Sequence, residues 1–377
     1  MIPGPVEVSP AVLAAASGPP PGHVSPRLIE AFGSSLARMR QVWQAGPASQ
    51  PFVLAGSGTL AMEVAAGNLI EPGDRALVVN SGYFSDRMVE ILRRQGAEVV
   101  QVAAPVGDAP SAEEVREVLS GSPFKALFAT HVDTSTGVHV DPEPLCRLAR
   151  EAGVLAVFDG VCAAAGERFE MAAWGADLYF TASQKALGLP PGLALMVASE
   201  RALAVRAARK SPSPALYLDW DSWLPVHRAY EERKASYFAT PATSLVLALE
   251  AGLGEILQNG IEARIDAHAR AAAHLRAAWR ALGLRSVPRE AVTANTLSVL
   301  LFPEGIDGGL LPKIAARGVV VAGGLHPAVK ATSFRIGHMG YTVTRPDYLR
   351  RTVEAVGGAL RELGAEVDLD AALVALP

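Results

Sequence analysis

Between about Pro51 and Ser199 the chain alternates short apolar, β-rich runs with amphipathic stretches of helical period, and few architectures accept that rhythm. Phe52-Val-Leu, Ala76-Leu-Val-Val, Val99-Val-Gln-Val, Ala126-Leu-Phe-Ala-Thr, Leu155-Ala-Val-Phe and Leu178-Tyr-Phe read as strands, and Leu193 to Ser199 supplies a further one. Between them the pattern predicts helices over Ser85 to Arg94, Ser111 to Leu119 and Pro142 to Ala152. Ser85, Ser111 and Asp141 are their expected caps, the last followed by proline at the first helical position. Neighbouring parallel strands need a crossover long enough to hold a helix, so the alternation predicts an α/β fold with a mostly parallel, helix-covered sheet.

Beyond a Pro- and aromatic-rich stretch, Ser211 to Pro241, the pattern changes. Long helices are expected at Ser244 to Gln258 and Ile261 to Leu282, the second with Ile261, Ile265, Ala272, Leu275, Trp279 and Leu282 on one face. Strand-like Thr296 to Phe302, Val319 to Ala322 and Thr332 to Ile336 then surround a short helix, and a final helix carries Leu349, Val353, Val356, Leu360 and Leu363. The expected organisation is an extended arm over residues 1–20, a large domain over 21–259 and a smaller α/β domain over 260–377. The boundary falls near Asn259-Gly260.

With 377 residues, half of them apolar and 19% charged, the chain can bury a large core. A formal net charge of -4 gives no electrostatic reason to bind nucleic acid or an anionic membrane, and small metabolites fit better. Two cysteines, Cys146 and Cys162, make neither a disulfide framework nor a four-thiolate metal site. The eight histidines lack metal-ligand spacing, so no metal is expected. Residues 1–7 lack a basic region followed by an apolar core, which gives a cytoplasmic location as the expectation.

Asp159 and Lys185 each follow a buried-strand pattern. Two such strand ends in one parallel sheet can bring a carboxylate and an amine to one crevice, where open α/β sheets bind ligands. That geometry suits pyridoxal phosphate, whose aldehyde forms a Schiff base with a lysine and whose ring nitrogen needs an acid partner. A solvated lysine and an ordinary Asp-Gly turn are the plainer alternative. Gly56-Ser-Gly-Thr-Leu-Ala-Met-Glu follows the first strand and opens a helix, forming a site for one phosphate, because the pattern lacks the third glycine of a dinucleotide fingerprint. Arg335, inside an otherwise apolar strand, needs either a salt-bridge partner or a ligand carboxylate, for which a planar guanidinium is well shaped.

Six segments, Pro51-Phe-Val-Leu-Ala-Gly-Ser-Gly-Thr, Thr130-His-Val-Asp-Thr-Ser-Thr-Gly, Asp159-Gly-Val-Cys, Thr181-Ala-Ser-Gln-Lys-Ala, Tyr237-Phe-Ala-Thr-Pro and Phe334-Arg-Ile-Gly-His-Met-Gly, occur in one order. Together with Ile2-Pro-Gly-Pro they resemble the alanine-glyoxylate/serine-pyruvate aminotransferases, class V enzymes of the fold type I pyridoxal phosphate group, and most of all the fungal type. The resemblance implies that Lys185 is the Schiff-base lysine and Asp159 the partner of the ring nitrogen. Val161 and Phe84 would flank the ring. Ser57, Gly58, Thr59 and Gln184 would hold the phosphate, and Thr134 the ring hydroxyl. Arg335 would grip the substrate carboxylate, with Gly4 of the arm lining the pocket. The family's homodimers imply that Tyr237 and Thr240 reach the neighbouring subunit's phosphate.

Many relatives have Trp where Phe84 stands, and some animal relatives have Ser near Ala163. The missing hydroxyl favours alanine over serine as amino donor. The implied reaction moves an amino group from alanine to glyoxylate, giving pyruvate and glycine by a ping-pong route. Serine-glyoxylate, serine-pyruvate or ureidoglycine-glyoxylate transfer is the alternative. A cysteine desulfurase would need a mobile nucleophilic cysteine, whereas Cys146 and Cys162 read as small buried hydrophobes. A nicotinamide dehydrogenase and a non-catalytic cofactor-binding protein are the readings from other classes. His131 and His338 lie inside matched segments, where a supporting role behind the site is open.

Overall fold

The computed structural model describes residues 1–377. In chain order the strands are β1 (Gln50–Ala55), β2 (Arg75–Asn80), β3 (Glu98–Ala103), β4 (Ala126–Thr130), β5 (Val132–Asp133), β6 (Val138–His139), β7 (Leu155–Asp159), β8 (Leu178–Ala182), β9 (Leu193–Ala198), β10 (Leu297–Leu301), β11 (Ala322–Gly323) and β12 (Ser333–Gly337). Seven of them form the main sheet, in the order β1-β9-β8-β7-β4-β2-β3. The expected strand at Leu193 forms, but it runs antiparallel to both neighbours, and the other pairs are parallel.

Side chains on this sheet divide by parity. Val53, Leu77, Val79, Leu127, Phe158 and Leu195 join one apolar cluster, while Phe52, Leu54, Val78, Phe128, Val157 and Met196 join another on the opposite face. The helices Pro26–Val42, Pro142–Glu151 and Thr243–Leu257 cover the first face; Gly58–Leu69 and Tyr83–Arg94 cover the second. Burial on both faces explains why the strands read as continuous apolar runs. Each fully buried large aliphatic or aromatic side chain stabilises the fold by roughly 1.5–3 kcal/mol. A three-stranded antiparallel sheet, β10-β12-β11, packs with the helices Ile261–Ala281, Leu310–Ala316 and Pro346–Glu362 around a further cluster that includes Trp279, Phe334 and Val353.

Three expectations need correction. The first twenty residues are not all extended, because Ser9 caps a helix at Pro10–Ser17, whose Val12 is buried against the large core. Ser85 is not a cap. Its helix starts at Tyr83 after Gly82, and a distant carboxylate, Asp133, accepts from the Phe84 and Ser85 amides. Of the expected strand Val319 to Ala322 only Ala322 pairs, with Arg335, and the segment before it does not join the sheet. The stretch Ser211 to Pro241 holds a helix, Trp220–Glu231, despite an internal proline, because Trp220 and Trp223 are buried against the sheet. No helix is long and apolar enough to cross a membrane.

Candidate active site

β7 and β8 are parallel neighbours, and both deliver their C-terminal ends to one cavity. Asp159 is the last residue of β7. Lys185 lies in the tight loop after β8, where Gly188 donates to the Lys185 carbonyl at 2.8 Å and Leu189 donates to the Ser183 carbonyl at 3.1 Å. Ser57, Gly58, Thr59, Phe84, Thr134, Val161 and Gln184 line the same cavity, so nine of the residues singled out from the sequence meet there. Met62, Arg87, Thr130, Val132 and Cys162 complete the lining.

Asp159 is 5% exposed. Its Oδ1 accepts from the Val161 amide at 2.8 Å. Burial pushes its carboxyl up to about 7; the Val161 amide opposes this, nearby Asp133 adds to it, and Lys185 and Arg87 pull it down. A buried carboxylate held near neutrality lacks a close cation, and a protonated ring nitrogen is such a cation. The Lys185 amine donates to the Pro3 carbonyl of the N-terminal arm.

The helix Gly58–Leu69 opens on the cavity, and no side chain caps its first turn. Its leading amides and its dipole therefore favour an anion. Gly58 is needed for close approach, since a Cβ there would lie 2.8 Å from Val161 Cγ2. The buried Oε1 of Gln184 has no partner in the protein, so this acceptor is available to a donor group of a ligand. An uncapped helix start whose amides can donate to a phosphate, a reactive amine and a carboxyl poised near 7 are the groups that pyridoxal phosphate requires.

The hairpin β5–β6 supplies the third wall. Asp133 is fully buried, and its carboxylate accepts from Phe84 N at 2.9 Å, Ser85 N at 3.4 Å, Ser135 N at 2.9 Å and Ser135 Oγ at 2.6 Å. Burial raises its pKa despite those four donors. The next residue, Thr134, accepts from Arg335 Nη1 at 3.3 Å and keeps its own hydroxyl hydrogen free for a ligand oxygen. Arg335 also donates from Nε to the Gly323 carbonyl at 2.8 Å. No salt bridge holds Arg335, so of the two readings of that arginine the ion-pair one is not observed. Burial lowers its pKa, with Cys162 and Asp133 opposing.

Gly4 lies against the lysine, where a Cβ would come within 2.6 Å of Lys185 Cδ, and its φ of +109° suits glycine. Tyr237 and Thr240 do not join this cavity. Both are exposed, and the Tyr237 ring stands 4.9 Å from the ring of His23. His131 sits below the site with Nδ1 3.0 Å from the Tyr179 hydroxyl, and His338 Nε2 is 3.0 Å from Ser298 Oγ. Both cysteines are buried and free, Cys146 on the helix Pro142–Glu151 and Cys162 after β7.

Two cavity features escaped the sequence reading. Arg87 has no role assigned from the sequence, although its i+3 spacing from Phe84 on one helix places the two on the same face. Asp133, inside a matched segment, has no role of its own assigned from the sequence. Its bonds to residues about fifty positions away have no local signature.

Comparison with known proteins follows the same outline. Residues 22–342 match the aminotransferase class-V family. Alanine--glyoxylate aminotransferase 1 of Saccharomyces cerevisiae is 35% identical over 96% of this chain and 97% of its own length. The solved ureidoglycine-glyoxylate aminotransferase of Bacillus subtilis superposes with a TM-score of 0.92 at 27% identity, covering 100% of this chain and 96% of that one. An alanine--glyoxylate aminotransferase structure from Nostoc sp. gives 0.89 at 30% identity, covering 96% and 94%. A full-length match of this kind, on a chain whose strand ends assemble the lysine, the carboxyl and the open helix start, places the protein in the class-V aminotransferases, enzymes that depend on pyridoxal phosphate.

Proposed function

We propose that the protein transfers an amino group from alanine to glyoxylate, yielding pyruvate and glycine, and that Lys185, Asp159 and Arg335 carry the reaction. The observation that supports it most directly is that Asp159 and Lys185 share one cavity after β7 and β8, while Arg335, midway along β12, reaches Thr134 on the wall of that cavity. Pyridoxal phosphate, when bound, supplies the electron sink for the negative charge left at the substrate Cα. The chain supplies the rest. Lys185 Nζ would hold the cofactor covalently and, as a free amine, would be the base that takes the proton from the substrate Cα and delivers it to the carbon on the cofactor side, the net shift that transamination needs. Asp159 holds a proton on the ring nitrogen, and its shielded position makes that electrostatic contact strong. Phe84 and Val161 hold the ring plane, Thr134 its hydroxyl, and Ser57, Gly58, Thr59 and Gln184 the phosphate.

Arg335 binds the substrate carboxylate as a planar fork, with Thr134 and the Gly323 carbonyl fixing its orientation. Ala163 packs among Val132, Cys162, Leu297 and Met339 and offers no hydroxyl, which favours an apolar donor such as alanine. Both half-reactions use one site, so ping-pong kinetics follow. We also propose a homodimer, in which exposed Tyr237 and Thr240 serve the neighbouring subunit's phosphate, and a cytoplasmic role in forming glycine.

A panel of half-reactions tests the donor. The yellow holoprotein is mixed with alanine, serine, aspartate and ureidoglycine, and its visible band is followed. Fast bleaching by alanine, reversed by glyoxylate, is the expected result. The likeness to the Bacillus subtilis enzyme motivates the second reading, ureidoglycine as donor with the same acceptor. Faster bleaching by ureidoglycine or serine would replace alanine in the assignment.

A further inference from the structure

Two arginines reach the cavity region, and two anions must be bound there, a substrate carboxylate and the cofactor's phosphate. Arg335 comes from the three-stranded sheet and meets Thr134. Arg87 comes from the helix Tyr83–Arg94 and lines the cavity beside the start of the helix Gly58–Leu69, where its Nη1 donates to Thr59 Oγ1 at 2.9 Å. Its other side-chain partner is also a hydroxyl, Tyr83 at 3.4 Å from Nη2. The guanidinium carbon lies 5.0 Å from the centre of the Phe84 ring and 5.2 Å from that of Tyr83.

These contacts orient the group without neutralising it. Hydroxyls and ring faces satisfy hydrogen-bonding and packing needs, yet this half-buried guanidinium makes no salt bridge and acts on the Asp159 carboxyl only from a distance. Thr59 sits in the uncapped first turn, so the cation, a hydroxyl and free backbone amides face one volume. A phosphate carrying close to two negative charges needs more than amide dipoles, and Arg87 is the full positive charge at that end.

We infer that Arg87 is the cation that binds the cofactor's phosphate, held in place by Thr59 and the Tyr83 and Phe84 rings. The contrasting role is packing alone, with the guanidinium buttressing Phe84 behind the pyridine ring. The two roles separate on a ligand without the phosphate. Full-length protein stripped of cofactor is titrated with pyridoxal 5′-phosphate and with pyridoxal, following the visible band, for wild type, Arg87→Lys and Arg87→Met. Arg87→Met is expected to weaken binding of the phosphorylated ligand by about 10–100-fold. Pyridoxal affinity should change less than about 2-fold, and Arg87→Lys should recover part of the loss, since it restores a charge without the fork.

Equal weakening for both ligands, or no weakening, would overturn the inference. If Arg87→Met fails to fold, inorganic phosphate decides instead. It should raise the melting temperature of stripped wild type more than that of Arg87→Lys, and equal protection would count against the role. The inference rests on the cofactor assignment, and the outcomes are distinguishable. Wild type that binds neither ligand sinks the assignment, whereas wild type that binds with unaffected variants sinks only the role of Arg87.

Discussion

Asp159 carries a conflict that its neighbours leave in place. The carboxyl is buried at a strand end, with one amide donating to it and a second carboxylate, Asp133, nearby, and it is pushed up to about 7. An ordinary aspartate in the unfolded chain titrates near 3.8. The folded protein therefore keeps a proton that the unfolded chain has lost, and stability without cofactor must fall as pH rises from about 4 through 7. Asp159→Asn keeps the acceptor for Val161 and removes the charge. In the cofactor-free state it should be more stable than wild type at pH 8, by an amount on the order of a few kcal/mol, with the gap closing towards pH 5. Urea denaturation at the two pH values measures this. The same variant should retain bound cofactor and lose about 100-fold or more in kcat, because the charge opposite the ring nitrogen is gone. Full activity would refute the role of Asp159. Gly4 offers a second test at this scale. A methyl group there would press on the Lys185 side chain, and its φ of +109° is unfavourable for alanine. Gly4→Ala should lower kcat/KM about 10-fold or more while costing only about 1 kcal/mol of stability, as read from steady-state kinetics beside a melt.

The helix Tyr83–Arg94 is the element whose placement matters most to the cavity, because it carries both Phe84 and Arg87. It starts after Gly82 with no cap of its own. Ser135 Oγ accepts from the Tyr83 amide at 3.0 Å, and Asp133 accepts from the two that follow. The hairpin that presents Thr134 thus also anchors the helix that presents the ring platform, which ties two walls together through one carboxylate. Asp133→Ala leaves those buried donors without partners, at a cost of about 1–3 kcal/mol each for groups that water does not reach. Stability should drop by roughly 2–4 kcal/mol, and pyridoxal phosphate affinity should fall with it, whereas Asp133→Asn should preserve part of both. Cofactor titrations combined with urea melts test the coupling. A stable Asp133→Ala protein with unchanged affinity would show that the hairpin does not position the helix.

Across the whole molecule, four histidines are buried in the neutral form, His131 pushed well down, His227 to about 4 and His268 and His338 to about 3, each chiefly by burial. His268 is fixed between the Arg264 carbonyl at 2.8 Å and the Gly340 amide at 3.0 Å. The unfolded chain takes up these protons near pH 6.5, before the folded protein does. Their contribution is complete above that pH and is lost as pH falls towards the depressed values. His338→Asn removes one such site, so its destabilisation relative to wild type should shrink by about 1 kcal/mol between pH 7.5 and 5.5. A gap that stays constant would place His338 outside the acid response. The arm also acts at this scale, because Val6 donates to the Gln184 carbonyl at 3.1 Å while Met1 accepts from the Gly337 amide at 2.9 Å. One short segment thereby joins the lysine loop to the three-stranded sheet. Local order determines what could be read without coordinates. The alternation of apolar runs and capped amphipathic stretches specifies a buried parallel sheet, and residues at its strand ends, Asp159 and Lys185 among them, are legible because strand period and loop position are properties of neighbouring residues. The reversed direction of β9, the capping of Tyr83–Arg94 by Asp133, the helix inside the arm and the approach of Arg87 to Thr59 are different in kind. Each depends on which distant groups burial forces into contact, and only the packed chain decides that.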